Sequence, residues 1–258
     1  MNKIALLGAL ALSAASTFSF ASQDNLRIGI EAAYPPFAFK TPDGKISGFD
    51  YDIGNALCAE MKVKCEWVEQ EFDGLIPSLK VRKVDAVLSS MSITEDRLKS
   101  VDFSKKYYHT PGKLAMKAGS EIKDPLVDLK GKKVGVQRAS TYDRFASDQF
   151  EAAGIEVVRY ASQNEAFLDL ASGRLDATLA DIINIDEGFI KTPAGKDFAL
   201  VGPDFNDPKY FGNGAGIAVR KGDSENAARI SAAIDAIRAN GTYQDVQAKY
   251  FEFDIYGK

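Results

Sequence analysis

Between Leu26 and Glu31 apolar and polar positions alternate (LRIGIE), the two-residue period of a strand. Pro35-Pro36 stops that run and opens a loop. After Gly48-Phe49-Asp50 the period lengthens: in YDIGNALCAEM, Ile53, Leu57 and Met61 recur at helical spacing. VKCEWVEQ returns to a strand pattern, Phe72–Leu79 opens a short helix, and Val84–Leu88 reads as a third strand. Thr94 is placed to cap the next helix, with Glu95 and Asp96 in the first turn, where the helix dipole favours acids. Strands separated by helices predict βαβ units, hence an α/β fold with a mostly parallel sheet.

The pattern then restarts. Lys132–Gln137 (KKVGVQ) is a strand, Ser140-Thr141 starts a helix, and the stripe of YDRFASDQFEAAG ends at Gly154. IEVVRY, the helix NEAFLDLASGR and the strand Leu175–Leu179 follow. Val84-Asp85-Ala86-Val87-Leu88 and Leu175-Asp176-Ala177-Thr178-Leu179 correspond position by position, which predicts two lobes of one architecture. The last part breaks the rhythm. Asp204–Gly216 is rich in Gly, Asn, Asp and Pro; a strand (Gly216–Arg220), a helix (Ala227–Gly241) and a final amphipathic turn (Tyr243–Phe251) follow. That is too little for a third domain, so these elements are expected to return to the first lobe.

The chain has 258 residues, 45% apolar and 26% charged, with a net charge of −4. This is globular composition, and its negative balance argues against non-specific nucleic-acid binding. One histidine and two cysteines exclude multi-His, Cys₄ and Cys₂His₂ metal sites, and neither metal nor cofactor is expected. The start, Met1-Asn2-Lys3, an apolar run from Ile4 to Ser16 and Ser19-Phe20-Ala21, has the order of a secretory signal peptide cleaved after Ala21. A buried first helix is the alternative. A leader of this kind implies a soluble periplasmic protein, in which Cys58 and Cys65 are expected to form a local disulfide rather than a redox pair.

Motifs for catalysis are missing. There is no phosphate loop, no H-E-x-x-H and no G-x-S-x-G. Gly212–Gly216 feeds a strand, not a helix N-terminus, and His109 stands alone where the first half ends. The chain therefore reads as a binder. Ligands of open α/β folds sit beyond the C-terminal ends of strands. Those loops here carry Glu31 and Tyr34, then Ser89, Ser90, Ser92, Thr94 and Arg97, then Arg138, Ser140, Thr141 and Tyr142, then Asp181.

These segments resemble a known family. EAAYPPFAF, GFDYDIGNALC, FDGLIPSLK, SSMSITEDR, GKKVGVQRASTY, GRLDATLAD and YFGNGAGIAVRK, in that order, are similar to the solute-binding proteins (family 3) of polar and basic amino-acid ABC importers. Within that family they fall nearest the lysine/arginine/ornithine- and arginine-binding branch. The resemblance implies a two-lobed, type II periplasmic-binding-protein fold, each lobe a mostly parallel sheet flanked by helices. The first lobe would be residues 22–109 plus 212–258 and the second 113–205, joined by hinge segments at 109–112 and 204–212. It implies a Cys58–Cys65 disulfide, a monomer, a small basic amino acid as ligand and a membrane ABC permease as partner.

It also implies roles. Arg97 would clamp the ligand α-carboxylate with a bidentate guanidinium, helped by backbone N–H groups around Ser90 and Ser92. Thr141 and the N–H groups near it would close on the same carboxylate from the second lobe, with Ser140 counted among the ligand-binding residues. Asp181 and the Ser90 carbonyl would take the α-ammonium, and Tyr34 and Phe72 would sandwich the side chain. Glu31 and Ser89 would receive the distal cation. The chain departs from the branch at Glu31, where many lysine/arginine/ornithine binders carry Asp although arginine-selective members often share Glu, and at Ala139 and Tyr142, where the family often has Gly and a polar Gln. Without the resemblance, Arg97 reads as a surface cation beside Glu95 or Asp96, Asp181 as a helix cap, Glu31 as a solvated strand end, Tyr34 and Phe72 as core aromatics, and the serines as loop residues.

Glu31, Asp181 and Arg97 together give the site a charge of −1, complementary to the +1 of an arginine or ornithine zwitterion. A neutral ligand would leave Glu31 buried and unpaired. The pocket is expected to reject neutral and acidic amino acids and to separate arginine, ornithine, lysine and histidine only weakly. Hinge closure would report occupancy. The alternatives are a cyclohexadienyl dehydratase-like enzyme on the same fold and a chemoreceptor-coupled sensor.

Overall fold

The computed structural model describes residues 25–257, so the signal-peptide segment lies outside the described residues. The chain opens with β1 (Asn25–Ile30), the short strands β2 (Ala33–Tyr34), β3 (Ala38–Lys40) and β4 (Ile46–Ser47), α1 (Phe49–Glu60), β5 (Lys64–Glu69), α2 (Phe72–Lys80), β6 (Ala86–Val87), α3 (Glu95–Leu98) and β7 (Val101–Tyr108). It continues through β8 (Gly112–Lys117), α4 (Pro125–Asp128), β9 (Lys133–Gln137), α5 (Thr141–Phe145), β10 (Glu156–Tyr160), α6 (Gln163–Ala171), β11 (Ala177–Asp181), α7 (Ile182–Ile185) and β12 (Phe198–Phe205). It finishes with α8 (Pro208–Phe211), β13 (Ala215–Arg220), α9 (Ser224–Ala239) and α10 (Thr242–Gln247).

Two five-stranded sheets result, ordered β5-β1-β6-β13-β7 and β10-β9-β11-β8-β12. In each, the first three strands are parallel, as the βαβ rhythm predicts, and the remaining two pair antiparallel. β13 inserts between β6 and β7 of the first sheet. The chain passes between the sheets twice, at the short link from β7 to β8 and through α8. Tyr210 and Phe211 of α8 pack into the core under the second sheet, beside Phe205 and Leu114.

The internal correspondence read from Val84–Leu88 and Leu175–Leu179 has a structural cause. Asp85 donates its N–H to the Arg27 carbonyl and accepts the Arg27 N–H on Oδ2. Asp176 makes the same two bonds with Lys133. Each aspartate closes the turn entering a central strand and ties it to the start of β1 or β9. Gly29-Ile30-Glu31 and Gly135-Val136-Gln137 therefore hold matching positions in the two lobes.

Between the sheets and their helices lie apolar cores. Under the first sheet, Phe37, Phe49, Tyr107, Tyr108 and Phe251 stack and cross at centroid distances of 4.8–6.4 Å. Gly48 sits at φ +122, where a Cβ would meet the Phe37 carbonyl. Only glycine suits that geometry. It lets Phe49 and Asp50 donate to the Pro36 and Phe37 carbonyls, which anchors the loop carrying Tyr34 to α1. Cys58 and Cys65 form a disulfide (Cα–Cα 5.8 Å) between α1 and β5. The helix expected through Gly154 is α5 followed by a π turn (Ala146–Phe150) and a 3₁₀ turn, capped by Gly154 in the left-handed region.

Candidate functional site

Parallel strands bring their C-terminal ends to one edge of each sheet, and the two edges face each other. β1 delivers Glu31, the loop after β6 delivers Ser89 to Ser92, β9 ends in Gln137 and β11 in Asp181. Between them lies one cavity with about 630 Å³ of space, counting its open mouth. All ten residues expected at a ligand line it: Glu31, Tyr34, Phe72, Ser89, Ser90, Ser92, Arg97, Ser140, Thr141 and Asp181. So do Tyr108, His109, Thr110, Gln137, Tyr142, Gln163 and Phe211, none of which was counted among them.

Glu31 is 4% exposed. Its N–H donates to Ser89 Oγ (3.0 Å), and its Oε1 accepts from Gln137 Nε2 (2.7 Å) across the cleft. Burial pushes its carboxyl up to about 7; the Gln137 bond opposes the rise, and Asp73, Glu71 and Glu165 add to it. Asp181 caps α7, accepting the N–H groups of Ile183 (2.8 Å) and Asn184 (3.2 Å), and accepts the Thr110 hydroxyl. Burial pushes it up to about 6. It is thus a helix cap and a cavity wall at once.

Arg97 enters from α3, whose cap Thr94 accepts the Arg97 N–H. Its guanidinium donates to the Ser92 carbonyl (3.0 Å) and, across the cleft, to the Ala139 carbonyl (3.2 Å). It lies 5.5 Å from the centre of the Phe72 ring. Asp96 pairs with Lys99 (3.1 Å) and Arg144 (2.8 Å). Burial lowers Arg97 to about 10, which leaves it a cation at neutral pH.

Three of the cavity serines are also tied into the fold. The Ser90 N–H, expected to face a ligand carboxylate, donates to Tyr107 Oη (3.1 Å), and Ser90 Oγ donates to Asp50 (2.9 Å). Asp50, fully buried, also accepts from Tyr107 (2.8 Å), and this triad holds Ser90 at φ +49. The Ser140 hydroxyl donates to the Gln137 carbonyl (2.6 Å) and accepts the Asp143 N–H (3.1 Å) as cap of α5. Ser89 supports the main chain of Glu31. Tyr142, the departure from a polar residue, stacks on Phe211 at 5.5 Å and forms an aromatic wall.

The lobes touch across the cleft. Besides the Glu31 and Arg97 contacts, Asn184 Nδ2 donates to the Pro35 carbonyl (2.6 Å), and Arg138 pairs with Asp73 (2.5 Å) and Glu71 (2.9 Å). Chemically, the cavity offers a guanidinium, two buried carboxyls and aromatic walls, the fittings for a zwitterion with an extra positive charge.

Residues 26–253 match the family described as bacterial extracellular solute-binding proteins, family 3. The chain belongs to that family. This solute-binding protein is 65% identical over 257 residues to the L-arginine-binding protein of Pseudomonas aeruginosa, covering 100% of this chain and 99% of that one. It is 45% identical to the lysine/arginine/ornithine-binding periplasmic protein of Escherichia coli, covering 98% of each. Among solved structures, an ancestral arginine-binding protein bound to arginine matches it with a TM-score of 0.82 at 39% identity, covering 89% of this chain and 99% of that one. The two-lobed periplasmic-binding-protein fold expected from the motifs is the fold of this solute-binding protein.

Gln137 and Gln163 escaped the reading of the sequence. The signal for Gln137 was present: aligning IGIE of β1 with VGVQ of β9 puts it opposite Glu31.

Proposed function

We propose that this protein binds basic L-amino acids, arginine or ornithine first, in the periplasm and delivers them to a membrane ABC importer. The observation that carries this is one cavity built from both lobes, with Arg97 supplying positive charge and the buried Glu31 and Asp181 supplying negative charge. Arg97 and Thr141 take the α-carboxylate, Asp181 and the Ser90 carbonyl the α-ammonium, and Glu31 with Ser89 the distal cation. Tyr34 and Phe72 flank the aliphatic stem. A single close ion pair at an effective dielectric of 20 is worth roughly 4 kcal/mol before desolvation. Residues 25–109 with 212–257 act as one lobe and 113–205 as the other, and closure about 109–112 and 204–212 signals occupancy to the permease. The leader directs export and is cleaved after Ala21. The protein acts as a binder and not as a dehydratase, because Glu31 repels the anion such an enzyme must take.

Calorimetric titration with the 20 amino acids and ornithine tests the reading. Arginine and ornithine are expected to bind at micromolar concentrations or tighter, with no heat from leucine or glutamate. Equal binding of a neutral amino acid, or turnover of prephenate, would overturn it.

A further inference from the structure

Asp50, in the first turn of α1, is fully buried yet lines no part of the cavity. Among the described residues it forms no ion pair. Its Oδ1 accepts the Tyr107 hydroxyl (2.8 Å) and its Oδ2 the Ser90 hydroxyl (2.9 Å). Tyr107 Oη in turn accepts the Ser90 N–H (3.1 Å). The N–H and hydroxyl of Ser90 are thus both turned to the core, which leaves its carbonyl as the polar group it can offer the cavity it lines. Its φ of +49 is a left-handed backbone that serine rarely adopts and that persists only where neighbours fix it. Tyr107 is itself fixed: it is fully buried, it stacks on Phe49, and its carbonyl accepts the Tyr243 hydroxyl (2.7 Å).

We infer that Asp50 is a positioning residue for the ligand α-ammonium: it holds Ser90 so that the Ser90 carbonyl meets the ammonium, and its own charge, set behind Ser90, adds to that of Asp181. The inference rests on the function proposed above and deepens its α-ammonium site. An asparagine could keep both hydroxyls tied with no charge to bury, and an unpaired buried carboxylate is costly. The dipole of α1 favours an acid in its first turn, but Asp52 already supplies one there, paired with Lys249. The charge at Asp50 finds its counterpart when a cation arrives beyond Ser90. Every α-amino acid carries that ammonium, so Asp50 acts on affinity for the whole class and not on the choice among side chains.

The titratable groups facing Asp50 are Tyr107 and Tyr108 of β7, Tyr243 of α10 and Asp181 of β11. Burial keeps the three phenols protonated at neutral and acid pH. Burial pushes Asp50 up to about 6, against the pull of its two hydroxyl partners. A bound ammonium favours its ionised form.

The test is calorimetric titration of L-arginine into the full protein, Asp50→Asn and Tyr107→Phe at pH 8, 6 and 5. Asp50→Asn keeps the size and the hydroxyl partners and loses the charge. It is expected to bind about tenfold more weakly than the wild type at pH 8 and less than threefold more weakly at pH 5, where the wild type has itself taken up the proton. Glu31 and Asp181 titrate in both proteins, so their effect cancels in the ratio, and the retained binding at pH 5 shows a folded site. Tyr107→Phe keeps the charge and removes a hydroxyl that steadies it, so its gap to the wild type is expected to widen by roughly two- to threefold from pH 8 to pH 6. A purely structural defect leaves both gaps constant with pH. Constant gaps, or wild-type affinity of Asp50→Asn at pH 8, would overturn the inference; if Asp50→Asn does not fold, the trend of Tyr107→Phe decides. A wild type that fails to bind arginine removes the proposed function, whereas one that binds it and shows constant gaps removes this inference alone.

Discussion

Glu31 is a buried acid whose side-chain hydrogen bond comes from a neutral amide, and among the described residues it forms no ion pair. Water no longer solvates its charge, so the free protein holds a proton there up to about 7. In the folded state this pKa is raised above that of the unfolded chain. Glu31 therefore contributes stability below about 4.5 that is lost as pH rises through 7. A bound cation reverses the preference, because it favours the ionised carboxylate. Arginine affinity is accordingly expected to fall on acidification, by about 30-fold between pH 8 and 5.5 from Glu31 alone. Asp181, pushed up to about 6, steepens the fall. Calorimetry at the two pH values checks this. Glu31→Gln is expected to bind weakly at both and to flatten the profile, and an unchanged slope would assign the effect elsewhere. Arg97→Ala should cost about 3 kcal/mol, roughly a hundredfold in affinity, for every amino acid bound. Retained wild-type affinity would refute the carboxylate clamp. Glu31, Arg97 and Asp181 were legible as site residues through the resemblance of the motifs around them, since by themselves they read as a solvated strand end, a surface cation and a helix cap. The hydrogen bond that ties Ser90 to Asp50 was not, since Asp50 lies 40 positions earlier in the chain.

At the scale of elements, the cleft is bracketed by ion pairs that a ligand need not touch. Arg138, directly after β9, reaches Asp73 of α2 and Glu71 before it. Arg144 of α5 reaches Asp96 of α3. These exposed contacts are screened by salt, and each contributes little alone. Their effect is on the closed state, so Arg138→Asp is expected to weaken arginine binding a few-fold by speeding release, with the residues lining the cavity intact. Combining it with Asp73→Arg should restore most of the loss, whereas equal affinities for single and double variants would show that the pair is inert. The same scale explains what the sequence hid. β7 (VDFSKKYY) carries two adjacent lysines that break its alternation, and β12 (FALVGPDF) contains a proline and a register shift between Val201 and Phe205. Both strands lie at sheet edges and pair antiparallel with partners. Their strand character comes from the completed sheet and not from a local period.

For the whole molecule, the repeat was legible because both lobes solve one packing problem with the same short strands and the same aspartate turn. Which faces meet was not, because that depends on where two chain crossings aim the lobes. The described structure is a touching arrangement, with Glu31 on Gln137, Arg97 on the Ala139 carbonyl and Asn184 on the Pro35 carbonyl. A ligand holding Arg97 and Asp181 at once binds this arrangement better than a separated one, and only that difference can shift the equilibrium. At 100 times its Kd, arginine is expected to stabilise the protein by about 2.7 kcal/mol and to raise Tm by roughly 5–10 °C. The same addition should shrink the radius of gyration seen by small-angle X-ray scattering. At that same concentration Arg97→Ala, about half occupied, should gain only about 0.4 kcal/mol and roughly 1 °C, with a correspondingly smaller change in radius. A large thermal shift with an unchanged radius would mean that the lobes are already together before the ligand arrives, and that occupancy is signalled by something other than closure.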